Sequence, residues 1–447
     1  MTGPDYGLLS LIAFAMVATF MTLIMTKRMS ALIALILVPT AFAILSGFAA
    51  GLGDMMMAGV KDLAPTGVML VFAILYFGLM IDVGLFDPLI KLIVRLVEGD
   101  PVRILMGTAI LALVVSLDGD GATTYMITIA AMLPLYRHMK MDPRMLACVV
   151  IMSGGVMNLL PWGGPTARVM SVLKLDAGAI FVPLILPMAL TAVWVLFVAY
   201  RFGIHERNRL AKLPPEAVDE DASGETILAE DEESHPEARR PRLIWVNLAL
   251  TVALMVALVI GIMPLAVLFM LAFAVAMMIN FPSLADQRDR LTAHAGNALA
   301  VGGLIFAAGI FTGILSGTHM VDAMAMTVTS NIPPALGPYL APITAMISAP
   351  FTFFISNDAF YFGMLPILAQ AGAQYGISAE EMGRAALVGQ QIHLLSPLVA
   401  STYLLVGMVG IEMGEHQRFT LKWACGSFVV FFLASLLLGV FPLYSTP

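Results

Sequence analysis

Ser116-Leu117-Asp118-Gly119-Asp120-Gly121-Ala122-Thr123-Thr124-Tyr125-Met126 sets two carboxylates, two glycines and a run of hydroxyls between two apolar segments, 104–115 and 126–135. The flanks are 12 and 10 residues long, roughly half of the ~20 residues that cross a bilayer as a helix. The pattern predicts a re-entrant hairpin over 102–136, two half-length helices meeting at a polar tip. Irregular, charged backbone at that depth is tolerated only where protein buries it or it lines a watery cavity. The tip is therefore read as half of a transport site.

The rest of the chain agrees with a membrane setting. It has 447 residues, 60% hydrophobic and 12% charged, where soluble domains carry about 25% charged residues. The fold class predicted is an all-α polytopic membrane protein. The 33 methionines read as gap-fillers of apolar packing. Cys148 and Cys425 lie far apart and suggest neither a disulfide nor a metal cluster. No cleavable signal peptide is expected, since the first apolar run, 8–25, has Asp5 before it and Lys27 and Arg28 after it. HExxH, GxSxG, Walker and strand-linked GxGxxG patterns are all missing, so an enzyme is not expected. Neither a permanent cofactor nor a nucleic-acid partner is expected.

Apolar windows predict spans at 8–26, 31–50, 66–83, 145–160, 179–200, 243–260, 264–281, 295–317, 383–411 (interrupted) and 420–442. A second hairpin is predicted from 341–355, a tip at Ser356-Asn357-Asp358, and 359–371. Between the halves, 201–242 is rich in acids and prolines, and most of the net charge of −7 comes from it. It reads as a solvated linker. If the tail before Leu8 is outside, cytoplasmic segments hold all 23 lysines and arginines except Lys61, Arg168, Lys174 and Arg384. That bias predicts a cytoplasmic linker and both termini outside. The first hairpin then opens inward and the second outward.

The halves repeat at an offset of 235. Leu8 matches Leu243, 78–87 matches 313–322, and 158–161 matches 393–396. An odd number of full spans precedes each hairpin, so the second copy is predicted upside down. The predicted organisation is a first inverted repeat at 1–200 (spans 8–83, hairpin about 102–136, broken helix about 145–175), the linker 201–242, and a second repeat at 243–447. Inverted repeats with paired, interrupted segments are the signature of a secondary transporter whose site lies at the midplane.

Four polar stretches converge under this symmetry. Besides the first tip they are Asn158-Leu159-Leu160-Pro161-Trp162-Gly163-Gly164-Pro165-Thr166-Ala167-Arg168, then Ile355-Ser356-Asn357-Asp358-Ala359-Phe360-Tyr361, and His393-Leu394-Leu395-Ser396-Pro397-Leu398-Val399-Ala400-Ser401-Thr402-Tyr403. Proline and glycine break the helix there. New helix N-termini favour an anion and new C-termini a cation, so the site looks built for both together. Asp118, Asp120 and Asp358 are the acids of the tips, and each needs a cation, a proton or strong hydrogen bonds at that depth. Carboxylate, carbonyl and hydroxyl oxygens also suit a hard divalent ion. Asp120 is open to a second role as a helix cap. Arg168 either clamps a carboxylate or snorkels to the interface. His393 either carries a coupling proton or is structural. Asp82, Asp87 and Asp322 read as interfacial caps.

These strings are similar to those of a known family. Met25-Thr26-Lys27-Arg28, Phe72-Ala73-Ile74-Leu75-Tyr76-Phe77-Gly78, Gly84-Leu85-Phe86-Asp87-Pro88, Leu117-Asp118-Gly119-Asp120-Gly121 and the stretch from Asn158 to Arg168 closely resemble the CitMHS family, bacterial citrate–metal:proton symporters of the ion-transporter superfamily. The resemblance covers nearly the whole chain, most specifically 66–175. It implies import of citrate complexed with a divalent metal, Mg²⁺ or Ca²⁺, with protons, in the bacterial inner membrane. It also implies a scaffold that forms a homodimer and a transport domain that moves as an elevator. Ser116, Thr123, Asn158, Thr166, Arg168, Ser356, Asn357, Ser396, Ser401 and Thr402, with the amides of Gly119, Gly121, Gly163 and Gly164, are then the citrate candidates. Asp118, Asp120, Asp358 and His393 are the metal or proton candidates. Superfamily relatives often carry Ser-Asn-Thr at each tip; carboxylates stand here instead, so sodium sites are not carried over. The alternatives are a metal-independent di- or tricarboxylate symporter and a citrate-sensing receptor. A linker of about 42 residues is short for a signalling domain.

Overall fold

Aspartate and proline set where the first hairpin and the helix after it begin. In the computed structural model, which describes residues 6–26, 28–97, 99–119, 121–212, 238–260, 262–331, 333, 335–354 and 356–445, the Asp100 side chain accepts the Val102 amide ahead of Pro101, and Asp142 accepts the Arg144 amide ahead of Pro143. An oxygen-bearing cap followed by proline at the first helical position is a strong helix start. Among the described residues every regular element is helical. Seven helices are long and apolar enough to cross a membrane.

The first half contains α1 (Tyr6–Met25), α2 (Ala31–Leu45), α3 (Leu52–Asp82), α4 (Asp87–Val97), α5 (Pro101–Val115), α6 (Gly121–His138), α7 (Pro143–Met157), α8 (Gly164–Leu173) and α9 (Ile185–Leu210). The second contains α10 (Ile244–Ile260), α11 (Leu265–Asn280), α12 (Leu284–Gly317), α13 (Met320–Asn331), α14 (Leu340–Phe354), α15 (Leu365–Ala373), α16 (Ala379–Leu387), α17 (Ala400–Val409) and α18 (Met413–Leu437). The order of helix types is the same in both halves. α5 and α6 are joined by a 3₁₀ turn at Ser116–Asp118, and α14 and α15 through a π turn at Ala359–Met364. Breaks separate α7 from α8 and α16 from α17.

Three features differ from the sequence reading. The spans expected at 66–83 and 295–317 begin earlier, at Leu52 and Leu284, because the charged turns at their starts dilute an apolar window without stopping the helix. The helices α4 and α13 were not expected. The run in α4 is only 11 residues with Lys91 and Arg95 inside it, too short and charged for a span, yet it buries Ile93, Val94 and Val97 as an amphipathic helix does. Finally, α9 continues to Leu210, into the segment read as linker; the acids of 213–237 lie outside the described residues.

Small residues set the closest helix contact. Gly309, Gly313 and Gly317 recur every four residues along α12 and face Met55 and Gly59 of α3. A Cβ on Gly59 would stand 1.9 Å from the Gly309 carbonyl oxygen, and one on Gly313 would stand 2.3 Å from that of Met55. Helices in lipid gain little from hydrophobic exclusion, so this close backbone approach supplies the packing.

Charged residues at the C-terminal end of α9 hold the start of the first hairpin. The Arg207 guanidinium reaches Asp100 at 2.7 and 2.9 Å. The buried Glu206 accepts from the Asp142 amide at 3.1 Å and from Arg209, which also donates to the Lys140 carbonyl. Burial works to raise the Asp100 carboxyl, but the Arg207 fork, the Val102 amide and Arg103 outweigh it, so it lies below the ordinary carboxylate value.

Two measurements test these contacts. Gly313→Leu should lower the thermal stability of the detergent-solubilised protein by about 1–3 kcal/mol or more, as overpacking does, whereas Gly296→Ala, which meets open space, should not destabilise. Because Asp100 ionises at lower pH folded than unfolded, its stabilisation is full above the ordinary carboxylate pKa and fades as pH falls. The melting-temperature gap between wild type and Asp100→Asn should therefore be widest at neutral pH and close on acidification.

Candidate functional site

A helix broken inside the membrane leaves backbone groups that must find partners. Both breaks solve this with threonine. Thr166, in the first turn of α8, donates to the Leu159 carbonyl at 2.9 Å, and Thr402, in the first turn of α17, donates to Leu394 at 2.5 Å. Gly163 makes the first break possible, since a Cβ there would lie 2.1 Å from the Asn158 carbonyl oxygen. Trp162 then ties this break to the first tip, donating from Nε1 to the Leu117 carbonyl at 2.9 Å. Gly119 passes beneath it with φ +79°, and a Cβ would meet the indole at 2.8 Å.

The first tip and both breaks enclose a cavity of about 130 Å³, lined by Ser116, Gly119, Gly121, Thr124, Gly154, Asn158, Leu394 and Ser401. Leu394 comes from the stretch between α16 and α17; the others sit at the C-terminal ends of α5 and α7 and in the first turns of α6 and α17. Two positive helix ends and two negative ones therefore converge, which is the field an anion bound together with a cation requires. The Ser116 Oγ is buried with no hydrogen-bond partner among the described residues, a cost that a ligand oxygen would remove. Asp118 is buried beside it at 7% exposure. Asp120 lies outside the described residues.

The second tip is closed differently. Arg168 of α8 crosses from the first half to Asp358, Nε to Oδ1 at 2.7 Å, with the side chains 19% and 18% exposed. Its Nη1 also donates to the Gly164 carbonyl at 2.9 Å. Arg168 thus points inward onto a carboxylate. The Ser356 Oγ accepts the Ala359 amide, and Asn357 exchanges hydrogen bonds with Gln390. The second break holds the tip's α14 from below: His393 Nδ1 donates to the Thr352 carbonyl at 2.6 Å and Ser396 Oγ to that of Phe353 at 2.6 Å. The other His393 nitrogen remains an acceptor.

The predicted residues thus fall into groups. Ser116, Gly119, Gly121, Asn158 and Ser401 share the cavity. Thr166, Ser396 and Thr402 commit their hydroxyls to backbone carbonyls, and Gly163 and Gly164 serve the turn and the Arg168 contact. Thr123 faces a separate, larger cavity. Asp87 and Asp322 do sit in first helical turns, but Asp82 ends α3 and pairs with His294 and Arg290. Sequence reasoning passed over Gly154 and Gln390. A Gly154-Gly155 pair in a helix buried throughout, and a glutamine in an apolar segment, were the available signals.

A family model described as citrate transporter, CitMHS, matches residues 20–389. A Bacillus subtilis (strain 168) protein named citrate transporter is 58% identical over 97% of this chain and 99% of its own. Another from the same organism, named Mg(2+)/citrate complex secondary transporter, is 47% identical over the same shares. The chain shares its fold with the solved structure of Neisseria gonorrhoeae MtrF, reported among a class of antimetabolite efflux pumps, at 16% identity and a TM-score of 0.61 over 91% of this chain and 87% of that one.

The ion pair across the halves can be measured directly. Arg168→Gln strands Asp358 in a part-buried place and should cost about 2–3 kcal/mol of thermal stability. Adding Asp358→Asn should restore most of it in a double-mutant cycle. Equal, additive losses would show that the two side chains do not interact.

Proposed function

The chain belongs to the CitMHS family of citrate transporters, and from that premise we propose that it is a secondary active transporter that imports citrate complexed with a divalent metal, coupled to protons. Families of this kind are transporters, not enzymes. The observation that carries the reading is the cavity at the first tip, where four helix ends and an unpartnered Ser116 hydroxyl meet. Metal–citrate is an anion already holding a cation, which matches that mixed field.

In this proposal Ser116, Asn158 and Ser401, with the amides of Gly119 and Gly121, take citrate oxygens. Asp118, and Asp120 from its place in the sequence, face the metal or the proton. Arg168, Asp358, Asn357 and Ser356 keep the second tip closed by internal pairing until the cargo competes for them, and His393 holds α14 while its free nitrogen stays open to a proton. The metal enters as cargo, Mg²⁺ or Ca²⁺, rather than as a resident cofactor.

The nine-for-nine order of helices, the offset of 235 and the three spans ahead of each hairpin support inverted repeats. The distribution of lysine and arginine supports a cytoplasmic linker and external termini in a bacterial inner membrane. α5, α6, α7, α9 and α18 pack on one another, as do α2, α3, α11 and α12. We assign the first group, with the second hairpin and its broken helix, to a moving transport domain, and the second to a scaffold that dimerises, which gives an elevator.

Uptake of labelled citrate into proteoliposomes, across a panel of divalent ions with a chelator control at two external pH values, tests the proposal. Uptake should require the ion and rise with an inward proton gradient. Ser116→Ala should raise the citrate KM about 10- to 100-fold, the loss of one hydrogen bond to a charged group. Uptake that ignores the chelator would instead support a metal-independent carboxylate symporter, and binding without counterflow would support a receptor.

A further inference from the structure

A cavity of about 620 Å³ beside the first hairpin does not belong to the tip. One wall is α6, with Thr123, Met126, Ile127 and Ala130, together with Met408 of α17. The facing wall is the end of α3 and the start of α4, with Asp82 and Asp87, and Arg239 from the last residues before α10. Arg239 is paired with Asp87, both side chains about one-quarter exposed. Gly84, at φ +80°, lets the chain turn close enough to place that carboxylate, since a Cβ would meet Asp87 Oδ2 at 2.4 Å. Asp82 is held by Arg290 and His294 at 3.2 and 2.9 Å, so neither acid faces the cavity uncompensated.

A second cavity, about 260 Å³, occupies the equivalent place in the other half. Its lining includes Ser316 and Val321, which at the offset of 235 correspond to Ile81 and Phe86 of the first, together with Val172 of α8 and Ala369 of α15, the helices that correspond in order to α17 and α6. Two cavities related in this way lie on opposite membrane faces when the repeats are inverted. Of the two, the one with Arg239 is the larger.

We propose that the larger cavity is a second binding station for the carboxylate cargo on the cytoplasmic side, with Arg239 as its receiving cation. This rests on the citrate-transport reading and on the inward placement of the linker. A carboxylate leaving the tip passes Thr123 on the cavity wall and meets a guanidinium whose present partner is itself a carboxylate. The exchange of Asp87 for a cargo carboxylate conserves charge and geometry, because the guanidinium fork fits either group. Asp87 thus sets how readily the station fills: it occupies Arg239 when cargo is absent and competes the cargo off into the cytoplasm. The linker, which otherwise only joins the halves, contributes the residue that decides affinity from the inside.

The test compares the two faces. Inside-out and right-side-out membrane vesicles from expressing cells are assayed with labelled citrate plus Mg²⁺. Arg239→Gln should raise the citrate KM in inside-out vesicles about 5- to 30-fold and leave the right-side-out KM unchanged. Asp87→Asn removes the competitor and should lower the inside-out KM, while Arg239→Lys should retain part of the wild-type affinity. These opposite signs distinguish a station from a structural clasp, whose loss in either variant would depress transport from both faces alike. KM values that move together at both faces, or an inside-out KM that Arg239→Gln leaves unmoved, overturn the inference while transport stands. Wild-type vesicles that carry no citrate from either face overturn the transport reading and this station with it.

Discussion

Everything in this structure depends on one constraint: a chain broken inside a membrane must still pair its backbone. Four polar interruptions would each strand carbonyl and amide groups in hydrocarbon, where an unsatisfied group costs several kcal/mol. Side chains close most of them. Thr166 and Thr402 span their own breaks, Trp162 reaches the first tip, and His393 and Ser396 reach the helix that leads to the second. With those carbonyls taken, helix ends converge at the first tip, and the buried Ser116 hydroxyl there has no hydrogen-bond partner among the described residues. That opening is where the proposed cargo would complete the pairing.

The two tips answer the same constraint with opposite charge arrangements. Arg168 and Thr166 are the fifth and third residues of α8, and the fifth and third residues of α17 are Leu404 and Thr402. The threonine closure is kept in both halves, but the arginine is present in only one. Asp358 therefore receives a guanidinium from the other half, whereas the first tip sits against Ser401 and the start of α17. A duplicated backbone has become an asymmetric pair: one tip is closed by an ion pair from the other half, and the other holds the buried Asp118 between two residues that line the cavity.

Much of this was legible in sequence because it is written in proline, glycine and charge. The hairpin at 102–136 and both breaks were readable from polar residues interrupting apolar runs that are each too short to span. Three things were not. The amphipathic helix α4 and the 12-residue α13 are too short to register in a window sized for a bilayer crossing. And the hydroxyls of Thr166, Ser396 and Thr402 look identical in sequence to that of Ser116; only their distances to Leu159, Phe353 and Leu394 separate those that close the backbone from the one left for a ligand. The pairing of Arg168 with Asp358 spans 190 residues and follows from the crossing of α8 into the other half, which no local pattern encodes.

Trp162 joins the site to the rest of the fold. Its indole stacks on Phe77 of α3 at 5.3 Å between centroids and meets Phe269 of α11 edge-on at 5.2 Å, while its N–H holds the first tip. Phe269 in turn contacts Tyr76, whose hydroxyl bonds Thr251 of α10. Aromatic pairs of this kind contribute about 0.5–1.5 kcal/mol each beyond the area they bury, so α3 and α11 hold the break itself through a few such contacts, and Lys174 at the end of α8 adds an exposed ion pair to Asp62 of α3 at 2.7 Å. A grip of that size holds one position firmly but yields to thermal motion and to the binding energy of a charged cargo. The elevator proposed above needs a sliding surface that is largely apolar and cheap to release, and an exposed pair such as Lys174–Asp62 adds little to its hold.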